Sequence, residues 1–199
     1  MFDRRVVARS QFTTGVALTC LLLVLSAGSL SAEDTETTEV KVKDITLTVP
    51  KTWKQEPPAN KLRMAQFVIP SDKEGGETAE LVISHFGGGG GGIAPNVQRW
   101  VGQFTPTGRD VKVTKGKSDQ GDYVIADISG TYLKPVGPPV LRQTQPTPDS
   151  RMLAVILIVP DKGHYFLKLA GPDATVAGVA KAVRKSFGGD VTTEEPFEF

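Results

Sequence analysis

Met152-Leu153-Ala154-Val155-Ile156-Leu157-Ile158-Val159 is an unbroken apolar run bounded by polar and proline-rich sequence, and its reading decides the fold. A run of this kind fits a central strand covered on both faces. Pro160-Asp161-Lys162-Gly163 then turns the chain back into Tyr165 to Ala170, making a hairpin. Upstream, Val111 to Lys117 and Asp122 to Tyr132 flank the turn-forming group Ser118-Asp119-Gln120-Gly121 and read as a second antiparallel hairpin. Further back, Ile45 to Val49 and Arg63 to Ile69 end at Pro50 and Pro70, and Ala79 to Phe86 sets Leu81 and Ile83 on one face against Glu80 and Ser84.

Two segments carry the helical period instead. Ile93, Val97, Trp100 and Phe104 share one face of a helix that stops before Pro106. A second helix begins after Gly171-Pro172 with Asp173 as N-cap, buries Val176, Val179, Ala180, Val183 and Phe187, and stops at Gly188-Gly189. The expected fold is α+β, a mainly antiparallel sheet of about six or seven strands with helices packed on it.

The chain has 199 residues, 39% of them hydrophobic, which suits one domain. Its 23 Lys and Arg nearly balance 22 Asp and Glu, which argues against the strongly basic face that nucleic-acid binding requires. Arg4, Arg5 and Arg9 precede an apolar run from Val16 to Leu25 and the small residues Ser26, Ala27, Gly28, Ser29, Ser31 and Ala32, the three-part layout of a secretory signal peptide. Residues 1–32 are therefore expected to be removed, leaving no membrane span and a periplasmic or secreted chain. Cys20 lies inside the apolar run, so the exported part has no cysteine, and disulfide or thiol chemistry is excluded. Residues 33–43 read as a polar tether, 44–189 as the domain and 190–199 as a C-terminal tail.

Leu47-Thr48-Val49-Pro50 with Trp53, the glycine-rich segment leading into Asn96-Val97-Gln98-Arg99-Trp100-Val101-Gly102-Gln103, and Tyr165-Phe166-Leu167-Lys168-Leu169-Ala170-Gly171-Pro172 resemble exported bacterial proteins of the PsbP-like superfamily. That superfamily includes a photosystem extrinsic subunit and a Ran-binding nuclear import factor. The resemblance covers roughly Asp44 to Gly188 and implies an α/β/α sandwich with an accessory or partner-binding role. None of its words is a catalytic motif, and no functional residue carries over.

Gly87 to Gly92 is a glycine run between a strand and a helix, where the amides of Gly88, Gly90 and Gly92 can converge on an anion. It lacks the spacing and the Gly-Lys-Ser/Thr ending of a phosphate loop, and the reading favoured over anion binding is a flexible connection that is entropically expensive to order. Asn96, Arg99 and Gln103 form a polar stripe beside the apolar one, either a solvated flank or donors for a carboxylate. Lys134 to Arg151 reads as a long proline-rich loop. Pro138, Pro139, Arg142 and Arg151 are its candidate partner contacts, against the alternative of a plain insertion between strands.

His85 and His164 lack metal-ligand spacing, and Ser84 and His85 point to opposite faces, so neither a metal site, a cofactor site nor a catalytic group is expected. The expected function is an exported, noncatalytic module for an unknown protein partner in the cell envelope or outside the cell. The alternative is a small-molecule or anion-binding domain built on the glycine loop and the helix after it.

Overall fold

In the computed structural model, which describes residues 36–86, 90–141 and 143–199, the chain forms ten strands and two helices. In order they are β1 (Thr37–Val42), β2 (Ile45–Pro50), β3 (Lys54–Glu56), β4 (Arg63–Ile69), β5 (Ala79–Phe86), α1 (Ile93–Val101), β6 (Asp110–Ser118), β7 (Gly121–Pro135), β8 (Thr144–Val159), β9 (Gly163–Pro172), α2 (Asp173–Ser186) and β10 (Glu195–Pro196). The main sheet runs β10-β6-β7-β8-β9-β5-β4-β3 with every pair antiparallel, while β1 and β2 pair separately. The apolar run occupies β8, well inside the sheet.

Strand alternation explains why that run has no polar face. Leu153, Val155 and Leu157 join Val176, Val179 and Val183 of α2, Phe187 at its C-cap and the inner residues of the β1–β2 hairpin in one core. Met152, Ala154 and Ile156 join Val97 and Trp100 of α1 in a second core on the opposite face. Helices therefore cover both faces of the sheet. The signal-peptide reading of residues 1–32 lies outside the described residues.

Four expectations about the edges need correction. The sheet has eight strands rather than six or seven, because β3 and β10 are too short to show an alternation in sequence. Residues 37–42 of the expected tether form β1, in register with β2 from Thr37↔Pro50 to Val42↔Ile45. Val42 is buried there, and Val40 packs on the same core. The expected tail carries a short 3₁₀ turn, Val191–Thr193, and β10, which pairs with β6. Most of the proline-rich loop is strand: β7 and β8 continue as a two-stranded ribbon paired Tyr132↔Thr147 to Pro135↔Thr144, leaving 136–143 as the connection. A ribbon strand has an open edge, so prolines that donate no amide fit there.

At the helix ends, α1 stops at Val101, and Phe104 packs into the same core beyond it. Pro172, not Asp173, holds the N-cap of α2, and Asp173 sits in the first turn, where it accepts a hydrogen bond from Arg151 Nη1 at 3.2 Å. Gly188 ends that helix at φ 84°, a left-handed conformation that suits glycine, and the Gly189 amide donates to the Arg184 carbonyl at 2.8 Å.

Candidate functional site

Helix α1 covers only part of its face of the sheet. Beside it opens a cleft of ≈ 1000 Å³, walled by Arg99 and Trp100 of α1 and by Tyr132 and Lys134 of the ribbon, with Val82 and Lys168 in its floor. At the β4–β5 side, Arg63 Nη1 donates to Glu80 Oε1 at 2.8 Å and to Gln66 Oε1 at 2.6 Å, so that cation is neutralised within the protein.

Lys168 is different. Its Nζ donates to Gln103 Oε1 at 2.8 Å and to the Tyr132 hydroxyl at 3.4 Å and lies 5.6 Å from the Tyr132 ring centroid. Among the described residues it has no carboxylate partner. Burial pushes the ammonium down to about 8, the Arg99 and Arg63 charges add to the effect, and Glu80 opposes it. The unfolded chain therefore holds this proton more tightly. The charge in the cleft weighs against folding below about 8, and that penalty fades as the pH rises toward the ordinary value of 10.5. The Tyr132 phenol is shifted upward, chiefly by burial and further by Glu80, and stays protonated at neutral pH.

The polar stripe of α1 divides between two tasks. Asn96 is 4% exposed, and its Nδ2 donates to the carbonyls of Gly90 at 2.8 Å and Gly92 at 2.6 Å, so its amide holds the loop. Gly90 also needs to be glycine: its φ is 55°, and a Cβ would meet the Phe166 ring at 2.7 Å. These contacts account for Gly90, Gly92 and Asn96 as a packed entry into α1; Gly88 lies outside the described residues. Arg99, whose Nη2 donates to Asn96 Oδ1 at 2.6 Å, lines the cleft, and Gln103 reaches Lys168. The structure thus brings Arg99 and Gln103 together with two residues the sequence reading missed, Lys168 and Tyr132. The available signal was a lysine between Leu167 and Leu169, in a strand now seen to be covered on both sides.

The candidate partner contacts separate. Pro138 is exposed near the tip of the ribbon and Pro139 opens the 3₁₀ turn Pro139–Leu141, whereas Arg142 lies outside the described residues. Arg151 is engaged within the fold. It clamps Asp127 in a bidentate pair, Nε to Oδ1 at 2.7 Å and Nη2 to Oδ2 at 2.9 Å, and reaches Asp173 with Nη1. Of the histidines, His85 is held through Nε2 at 2.7 Å from the Lys162 carbonyl and packs 4.5 Å from the Tyr165 ring centroid. Nδ1 of His164 is buried with no hydrogen-bond partner among the described residues. No group of three His, Cys, Asp or Glu side chains among the described residues is arranged to hold a metal ion.

No family model and no curated protein matches the chain. Among solved structures, the chain is similar to the solution structure of cyanobacterial PsbP (CyanoP) from Synechocystis sp. PCC 6803. The two share 12% identity at a TM-score of 0.46, over 87% of this chain and 99% of that one. No helix among the described residues is long and apolar enough to cross a membrane.

Proposed function

We propose that this chain is an exported binding module, periplasmic or secreted, that takes an anionic small molecule into the cleft beside α1 without turning it over. The observation that carries the proposal is Lys168, a partly buried ammonium held by an amide oxygen and a phenol, with Arg99 at the same cavity. A carboxylate or phosphate entering there supplies the charge partner the protein leaves out, and the low-dielectric surroundings strengthen that pairing. The position is built for a ligand at the expense of the fold, because below about 8 the unpaired charge opposes folding.

A thermal-shift panel of carboxylates and phosphates tests this reading. A ligand at 100 times its dissociation constant adds about 2.7 kcal/mol to the folded state, an easily read rise in Tm. Lys168→Met is expected to raise Tm without ligand and to abolish the ligand shift, and Arg99→Ala to weaken the shift. A panel that stabilises nothing, with Lys168→Met lowering Tm, rejects the site.

One observation supports a second reading, a noncatalytic contact with a protein partner through the ribbon. Val140 and Leu141, at its tip, are 85% and 56% exposed. Two apolar side chains projecting together into solvent suit the centre of a small contact. Pull-down from the native envelope fraction is expected to capture a partner that a Val140→Ser, Leu141→Ser variant loses. Capture that ignores the tip removes this reading.

A further inference from the structure

We infer that Lys168 is a covalent carbonyl-binding site: its Nζ forms a reversible imine with the aldehyde or ketone group of a ligand whose carboxylate is held by Arg99. The inference rests on the cleft accepting an anionic ligand and adds the chemistry of the bond that keeps it.

Placement comes first. Lys168 sits in β9, paired to β8 through Ala154 and to β5 through Val82, so its backbone is fixed between two strands. Its side chain lines the cleft, and the amine is aimed by Gln103 Oε1 at 2.8 Å and the Tyr132 hydroxyl at 3.4 Å. An amide oxygen and a phenol orient an amine without locking it as the ammonium in the way a carboxylate does. Other lysines differ on this point: Lys54 and Lys115 have side chains 76% and 53% exposed and pair with Glu56 and Glu195.

The titratable and charged groups named around Nζ come from four elements. Arg99 on α1 and Arg63 on β4 disfavour the ammonium, Glu80 on β5 favours it, and Tyr132 on β7 is a neutral phenol. With burial the first cause, the shift to about 8 gives roughly 300-fold more neutral amine near pH 7 than an ordinary lysine has. The neutral amine is the nucleophile.

The step balances without an oxidant or reductant. The nitrogen lone pair forms the C–N bond as the carbonyl π pair moves onto oxygen, and a proton passes from nitrogen to that oxygen. The resulting carbinolamine loses its hydroxyl as water, with a proton supplied from the Tyr132 phenol, while the nitrogen lone pair forms C=N. The iminium nitrogen returns one proton to the phenolate. Amine plus carbonyl gives imine plus water. Arg99, exposed on α1 at the edge of the same cavity, supplies the guanidinium for the ligand's carboxylate.

The test uses the wild-type protein with glyoxylate, an aldehyde bearing a carboxylate, or propionaldehyde, which bears none. Each is reduced in place with cyanoborohydride and the adducts are mapped by peptide mass spectrometry. Glyoxylate is expected to label Lys168 at least about tenfold faster than Lys54 or Lys115, with a rate that climbs through about pH 8 rather than 10.5. Arg99→Ala should slow glyoxylate labelling much more than propionaldehyde labelling, which falls only as far as loss of the Arg99 charge favours the Lys168 ammonium. Labelling of Lys168 no faster than that of the exposed lysines overturns the inference. If acetate or phosphate still stabilises the fold in that case, the cleft survives as a noncovalent site and only the imine fails. Equal labelling by both aldehydes, unaffected by Arg99→Ala, overturns the assignment of a carboxylate-bearing ligand.

Discussion

Ile156→Asp is expected to leave no folded domain at room temperature. Ile156 is 0% exposed in β8, paired to Val124 on one side and Phe166 on the other, and belongs to the core beneath α1. A carboxylate placed there loses its hydration. None of its neighbours in that core, among them Val97, Trp100 and Met152, carries a countercharge. Whether the group stays ionised or takes up a proton, the transfer costs several kcal/mol, and the lost packing adds to it. Small domains have only about 5–15 kcal/mol in total, and a loss above about 4–5 kcal/mol is exceptional among single substitutions. Circular dichroism should show no cooperative melting transition, whereas Ile156→Val, which removes one methylene, should cost about 0.5–1.5 kcal/mol and keep the transition. An unchanged Tm for Ile156→Asp would mean that β8 is not covered on this face.

That prediction draws on the part of the fold most legible in sequence. Ala79 to Phe86 and Arg63 to Ile69 appear as strands with the bounds that their residues suggest, and the two hairpins around β8 follow from their turns. Each element declares itself through several consecutive side chains that meet the same two environments. The edges do not. β3 and β10 hold three and two residues, and their existence depends on the neighbour they pair with. The ribbon was hidden by its prolines, which argue against an inner strand but not against one with an open edge.

The site was legible in half. Arg99 and Gln103 could be placed on one side of a helix by counting, because helical spacing is local. Lys168 and Tyr132 are 36 residues apart and meet only because β7, β8 and β9 are consecutive in the sheet. No pattern within a window of sequence contains that meeting. The same limit hides from sequence the Asn96 contacts to the Gly90 and Gly92 carbonyls and the Arg151 pairs with Asp127 and Asp173.

A second large effect is expected where the sequence suggested only a tail: Glu194→Ala should cost about 3–5 kcal/mol, the usual result of removing one partner from a buried ion pair. The Arg184 and Glu194 side chains are 9% and 3% exposed, and Nε and Nη2 of Arg184 donate to the two carboxylate oxygens at 2.7 and 3.3 Å. Thr114 Oγ1 donates to the same carboxylate at 2.7 Å, which ties α2, β6 and the residues before β10 into one network. Truncation at 194 leaves a guanidinium out of water with the Ala180 carbonyl, 3.2 Å from Nη1, as its remaining partner. The pair as a whole contributes much less than that loss, since bringing both charges out of water offsets most of their attraction. Removing both charges, as Arg184→Leu with Glu194→Leu, should therefore recover much of the stability that Glu194→Ala loses. Urea unfolding monitored at constant m value separates the cases. A cost below about 1 kcal/mol for Glu194→Ala would show that the pair is solvated and that the C-terminal segment lies on the sheet without holding it.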